Sequence, residues 1–270
     1  MNRLCLFFLL AAALAAQPVK LPVYGARKTV DHIRIDGKLD EFSWAGSPRL
    51  QEFRLIHDVT RRPKFPTEGA VLWDGQNLYV SFACRDRQPW SRFTHRDDHL
   101  WEEEVVEVFL DPDGDGKNYA ELEVSPKNVV VDLLIPSPRA GAGNAIKWDI
   151  EGLETAVGHY AAGWTAEIAI PWKSLGGTGI TSAPKPGDRW RVGLYRIKRP
   201  GGPGKADEIA ALSKEMKSAG AARKAEIEQK LRELRADDEY QAWSPTRPER
   251  GFHDPERFGI VEFLDLDAQI

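Results

Sequence analysis

Apolar and polar residues alternate along much of the chain with a period of two. In Asn77–Cys84, Leu78, Val80, Phe82 and Cys84 share one face, and Tyr79, Ser81 and Ala83 the other. Val106, Val108 and Leu110 oppose Val105, Glu107 and Phe109. Trp164, Ala166, Ile168 and Ile170 oppose Thr165, Glu167 and Ala169, and the pattern returns in Trp190–Tyr195 and Phe258–Phe263. This period marks strands with one buried face. The segments are separated by turn chemistry: Asp36-Gly37, Asp74-Gly75, Asp113-Gly114 and Pro186-Gly187-Asp188. Many short strands, with no helix alternating between them, predict an all-β sandwich or barrel and argue against a parallel α/β fold.

One stretch breaks the pattern. Ala206–Ala236 is rich in Ala, Glu, Lys, Arg and Leu, with Ile209, Leu212 and Met216, then Ile227, Leu231 and Leu234, at helical spacing. We read a helix, or two helices broken near Gly220, inserted between β segments with a solvated charged face. Insertions into surface loops are well tolerated, so this one reads as an ornament rather than a lid. Pro200–Gly204 reads as a flexible entry, and Ser137–Asn144 as a mobile loop. Short helical pieces are expected near Leu39–Trp44 and at Pro171–Leu175.

The amino terminus has a different pattern. Arg3 precedes an apolar run from Leu4 to Leu14, and small residues follow at Ala13, Ala15 and Ala16. This is the layout of a cleaved secretory signal over residues 1–16. The run is too short to span a bilayer, which takes about 20 residues. The mature protein is therefore expected to be secreted or periplasmic and free of the membrane. Residues 17–30 read as an extension, and 31–270 as one domain with its helical insertion at 205–237. After cleavage Cys84 is the one cysteine left, so no internal disulfide is expected and the thiol reads as buried and inert. The net charge of −4 offers no basic excess for nucleic acid.

Four features carry candidate chemistry. Asp111, Asp113 and Asp115, spaced by Pro112 and Gly114 and followed by Gly116, resemble the first half of a calcium loop. Leu122 stands where the closing Glu would be, and the flanks read as strands, so an acidic hairpin turn is the other reading. Glu102, Glu103, Glu104 and Glu107 could supply the carboxylate pair of a glycosidase. Three adjacent acids leading into a strand also read as a rim, or as hydrogen-bonding groups for a ligand. No Gly-x-Ser-x-Gly occurs, and the six histidines lack metal-protease spacing; His95 and His99 are four apart without the intervening Glu. No catalytic set is identified, so no enzyme activity is expected. Trp101 and Phe252 lie in polar, loop-like stretches, where flat rings could stack on a sugar or cap the ends of the fold.

Five stretches, in order, resemble a family of carbohydrate-binding modules. They are Ile35-Asp36-Gly37-Lys38-Leu39-Asp40-Glu41 with Trp44; Leu72-Trp73-Asp74 with Asn77-Leu78-Tyr79-Val80; Trp101 with Val106–Asp111; Gly163–Trp172; and Trp243-Ser244-Pro245-Thr246 with Phe252–Gly259. Over Asp31–Leu264 the chain is similar to family 9, or the broader family-9-like group. The resemblance implies a two-sheet antiparallel β-sandwich with a small site that grips a saccharide end between two rings, here Trp101 and Phe252. It places the hydrogen-bonding carboxylate on Glu107. It puts Glu123 where sugar-binding members carry an arginine, and Phe252 where they carry tryptophan. Structural calcium is a further implication.

The expectation is an exported, non-catalytic carbohydrate-binding protein of polysaccharide breakdown. Trp101 and Phe252 would clamp the ring, Glu104, Glu107 and Glu123 would meet its hydroxyls, and calcium would sit at Asp111, Asp113 and Asp115. A glycoside hydrolase would be its partner. The alternatives are a haem- or redox-linked module, for which Met216 is the only methionine after the signal, and a glycosidase using Glu104 and Glu107. Trp73, Trp164 and Trp172 are expected in the core, Asp254 with Arg257 in a turn, and Arg196 at the rim.

Overall fold

A computed structural model describes residues 20–140, 143–180 and 182–265. The apolar leader read as an export signal lies outside them. The strands are β1 (Val23–Lys28), β2 (Arg54–Leu55), β3 (Thr67–Trp73), β4 (Asn77–Arg85), β5 (Val105–Asp111) and β6 (Tyr119–Val124). They continue with β7 (Val130–Ile135), β8 (Glu154–Tyr160), β9 (Gly163–Pro171), β10 (Arg189–Lys198), β11 (Glu239–Ala242) and β12 (Gly259–Leu264). Three helices, α1 (Phe42–Gly46), α2 (Gly202–Met216) and α3 (Ala221–Leu234), complete the set. A 3-10 turn at Trp172–Ser174 and α1 fall where short helical pieces are expected.

The fold is mostly β, a curled mixed sheet. Its order is β7-β6-β5-β10-β12-β1-β3-β4-β9-β8, with β11 on β10 and β2 on β11. Two pairings depart from the antiparallel expectation: β1 runs parallel to both β12 and β3. The chain between β1 and β3 makes the long crossover that a parallel pair needs, passing through α1. Residues 17–30, expected as an extension, contribute β1 to the middle of the sheet, so the folded unit begins before residue 31.

Strands far apart in this order meet in one core. Val80 and Phe82 of β4 and Trp164, Ala166 and Ile168 of β9 join Val106, Val108 and Leu110 of β5 and Val192 and Leu194 of β10. Trp73, Trp164 and Trp172 lie in this core as expected. Trp172 donates its indole N–H to the carbonyl of Asp74 at 2.9 Å, satisfying a group that burial would otherwise leave costly. Cys84 is fully buried, and desolvation raises its thiol to about 11.

Strands β5, β6 and β10 differ from the one-buried-face expectation. Their alternate residues Val105, Phe109, Tyr119, Tyr195 and Ile197 form a second cluster with Phe252 and Phe258 beneath the surface loops. Both faces are thus covered, one by the main core and one by this layer.

The insertion is two helices broken at Gly220, as the spacing implies. Its entry is firmer than expected, because α2 already begins at Gly202 with Pro203 in its first turn, where a missing N–H costs nothing. Ile227 and Leu231 of α3 are buried, and Lys205 pairs with Asp238 at 2.9 Å.

Gly163 opens β9 against the end of β4. A methyl group there would lie 1.9 Å from the backbone oxygen of Cys84, which the sheet cannot move. Gly163→Ala is expected to destabilise the fold by about 1–3 kcal/mol. Urea denaturation should show a lower midpoint at unchanged slope.

Candidate functional site

The second cluster opens onto a cleft of about 490 Å³ lined by Trp101, Glu107, Glu121, Glu123, Tyr240 and Phe252 among others. That volume falls within the roughly 300–1,000 Å³ range of small-ligand sites. Strand pleating explains which residues face it. Glu107 of β5 stands directly opposite Glu123 of β6, and Phe109 opposite Glu121. With side chains alternating, the three glutamates share the cleft face, while Val106, Val108, Leu122 and Val124 take the core face.

The two rings come from separate loops, and each has one face occupied by another ring. Trp101 sits in a 3-10 turn (Leu100–Glu102) just before β5, anchored by fully buried Leu100. His99 stacks on it with centroids 4.6 Å apart and planes at 19°. Arg199 donates to its carbonyl at 2.9 Å. Phe252 is 8% exposed and stacks on Tyr195 at 4.3 Å and 10°. Tyr240 meets its edge at 6.0 Å. The loop carrying Phe252 is fixed by Asp254, which accepts from the backbone N–H and guanidinium of Arg247 at 3.0 and 2.8 Å. Asp254 and Arg257 share a turn as expected, and the side-chain partner of Asp254 is Arg247. Arg257 contributes its backbone N–H to the Asp254 carbonyl at 2.8 Å.

The glutamates are buried without cations to match. Glu107 is 2% exposed and Glu123 0%. Glu107 Oε1 and both Glu123 oxygens accept no hydrogen bond, and among the described residues neither side chain makes an ion pair. Glu121 lies 3.8 Å from His253, whose other nitrogen meets the Tyr119 hydroxyl at 2.8 Å. Desolvation drives all three carboxyls above their ordinary range, with Glu121 at about 7, and mutual repulsion pushes Glu107 and Glu123 further.

Glu104 and Arg196 do not reach the cleft. Arg196 lies between the cleft-facing Tyr195 and Ile197 and so points to the other side of β10; it is fully buried, not at the rim. It pairs with Asp86 at 3.0 Å, and Lys198 bridges Asp86 at 2.8 Å and Glu104 at 2.7 Å. The four form a closed network of two acids and two bases. Glu103 likewise binds Arg92 at 2.7 Å, so of the acids expected at a solvated rim, Glu103 and Glu104 are buried in pairs.

Two further acidic trios bring carboxylate oxygens within 4.8 Å of one another. One is Asp111, Asp113 and Asp115, as the spacing suggests. Gly114 and Gly116 hold the positive φ angles of 71° and 75° that curl this loop. Asp111 is buried, and its Oδ1 has no hydrogen-bond partner. The other, Asp97, Asp132 and Asp149, is filled by Arg96, which binds Asp132 at 2.5 Å and Asp149 at 2.8 Å.

Glu121 and Tyr240 are site residues that the sequence reading passed over. Glu121 shares a face with Glu123 by the two-residue period of β6, and that signal would have found it. Tyr240 lies just beyond the insertion, where no pattern links it to the cleft. The insertion itself stands close by: Trp101 and Tyr240 also line a second hollow, walled by Ile209, Ala210 and Ser213 of α2.

A family model described as "Carbohydrate family 9 binding domain-like" matches residues 35–196. No curated protein matches the chain. Among solved structures, a family 9 carbohydrate-binding module from Caldicellulosiruptor kristjanssonii in complex with cellotriose is 14% identical, with a TM-score of 0.56, covering 90% of this chain and 94% of that one. The corresponding glucose complex gives 14% identity and a TM-score of 0.53 over 89% and 96%. A Bacteroides uniformis protein gives 14% and 0.59 over 90% and 100%. At such identity the likeness shows the fold.

Gly193 controls how Phe252 is backed. A methyl group there would meet the Tyr195 ring at 2.4 Å and its hydroxyl at 2.6 Å. That ring is enclosed by Phe252, Phe109 and Phe258 and has nowhere to go. Gly193→Ala should destabilise the protein by about 1–3 kcal/mol. Near-ultraviolet circular dichroism should report the disturbed aromatic stack.

Proposed function

The chain belongs to the carbohydrate family 9 binding domain-like family, and on that premise we propose that the cleft holds one ring of a saccharide between Trp101 and Phe252, without catalysis. The observation that carries this is the lining of one cleft by two aromatic rings from separate loops, with carboxylates beside them. Each ring is backed on one face, Trp101 by His99 and Phe252 by Tyr195, and both line the cleft, Trp101 half-buried and Phe252 nearly covered. A pyranose presents apolar C–H faces to such rings and donates hydroxyl protons to Glu107 and Glu123. The similar modules hold cellotriose and glucose, which favours a glucose-type ring. Glu104 is committed to Lys198 on the other side of the sheet, so Glu104 and Glu107 do not face a common substrate. This supports binding over hydrolysis.

The same reading takes the curled sheet as a two-layered sandwich, supported by the core that β4 and β9 share with β5 and β10. The apolar leader supports export, where the protein would hold saccharide near a partner glycoside hydrolase and raise its effective concentration. The carboxylates of Asp111, Asp113 and Asp115, gathered with a free buried Asp111 oxygen, support a structural calcium ion at the β5–β6 loop.

Trp101→Ala should abolish retention on a cello-oligosaccharide affinity gel while far-ultraviolet circular dichroism and melting temperature stay near the parent. Retention equal to the parent would remove the cleft as the sugar site. Asp113→Asn combined with Asp115→Asn should leave the protein with one calcium ion fewer by equilibrium dialysis, and an unchanged count would discard the loop site.

A further inference from the structure

The glutamate trio in the cleft differs from the ion-paired clusters of this protein. Asp86 and Glu104 are matched by Arg196 and Lys198, and Asp132 and Asp149 by Arg96. Glu107, Glu121 and Glu123 are buried, yet Glu107 and Glu123 touch no cationic side chain; three of their oxygens meet no donor, and the Glu121 and Glu123 carboxyls lie close to each other. Leaving carboxylate oxygens enclosed and unbonded costs free energy unless something else compensates them. One oxygen from each glutamate lies within 4.8 Å of the others. Oxygens that bind a common calcium ion at about 2.3–2.6 Å can be no further apart than about 5 Å. An all-oxygen, all-carboxylate set selects a hard divalent cation over a transition metal. The trio also lines an open cleft, so protein fills only part of a coordination sphere that takes about 6–8 oxygens.

We propose that Glu107, Glu121 and Glu123 bind a calcium-type divalent cation at the side of the cleft, and that its open positions take neighbouring hydroxyls of the saccharide ring. In a cleft that Arg139 and His253 also line, the cation would give the acceptor-only carboxylate side a way to bind sugar oxygens directly. The bridging half of this proposal rests on the saccharide reading above; the ion-binding half does not.

The test uses the full chain carrying Asp113→Asn and Asp115→Asn, which silences the β5–β6 loop. Calcium is titrated calorimetrically with no sugar present. One bound ion per chain is expected, and adding Glu123→Gln should weaken it by about tenfold or more. Glu107→Gln serves as the second variant, with circular dichroism checking that both remain folded. Terbium in place of calcium should show luminescence sensitised by Trp101 and quenched by excess calcium. An absence of calcium binding, or binding indifferent to both glutamate variants, overturns the proposal. The same protein is then applied to the cello-oligosaccharide gel with calcium and with a chelator. Loss of retention on chelation supports the bridge, and retention that survives chelation overturns it. A protein that binds the ion but is never retained on the gel refutes the bridge and the saccharide reading together, while the ion site stands.

Discussion

A strand buried on both faces has no neutral side, so every second residue must suit one environment and every other residue another. This constraint governs β5, β6 and β10. Their even-numbered positions Val106, Val108, Leu122 and Leu194 fill the main core, and their odd-numbered positions carry Glu107, Glu121, Glu123, Tyr195 and Ile197 to the cleft. A slip of one residue would exchange the two sets, placing carboxylates among tryptophans. The cleft and the core are therefore specified by the same register, and neither can be changed without the other.

Charge follows the same rule. Arg196 and Lys198 alternate with Tyr195 and Ile197, so β10 sends its bases away from the cleft toward Asp86 and Glu104. Buried charges are stabilised when paired and hydrogen-bonded, and this group of four supplies the pairing, with the Arg196 Nε left without a partner. The outcome is a cleft whose buried side chains are acidic, aromatic and aliphatic while the strand beneath it carries two bases facing the other way.

Much of this was legible in the sequence. The period of two located β4, β5, β9, β10 and β12 and placed Glu107 opposite the core-facing valines, and turn residues marked the ends of β3 and β5. The helical spacing on either side of Gly220 separated α2 from α3. Trp101 and Phe252 stood out because rings on polar loops have little reason to be there. The rest depended on contacts between distant segments. Nothing near β1 indicates that it pairs parallel with β12 and β3. Burial of Glu103 and Glu104 depends on Arg92 and Lys198, one eleven residues before Glu103 and the other far beyond both. The turn of Asp254 with Arg257 was legible, but the clasp of Arg247 on the Asp254 carboxylate depends on the loop folding back over itself.

The helical excursion leaves the sheet at Lys198 and returns at Glu239, and these two residues face each other as a β pair. Its ends are therefore about 5.5 Å apart or less, the spacing of opposed residues in antiparallel strands. Such closely spaced ends make a splice point: a different compact unit with adjoining termini could be grafted there, and β10 and β11 would still meet in register. In evolutionary terms, this edge of the fold can acquire and exchange whole appendages beside the cleft while the sheet that builds the cleft stays as it is.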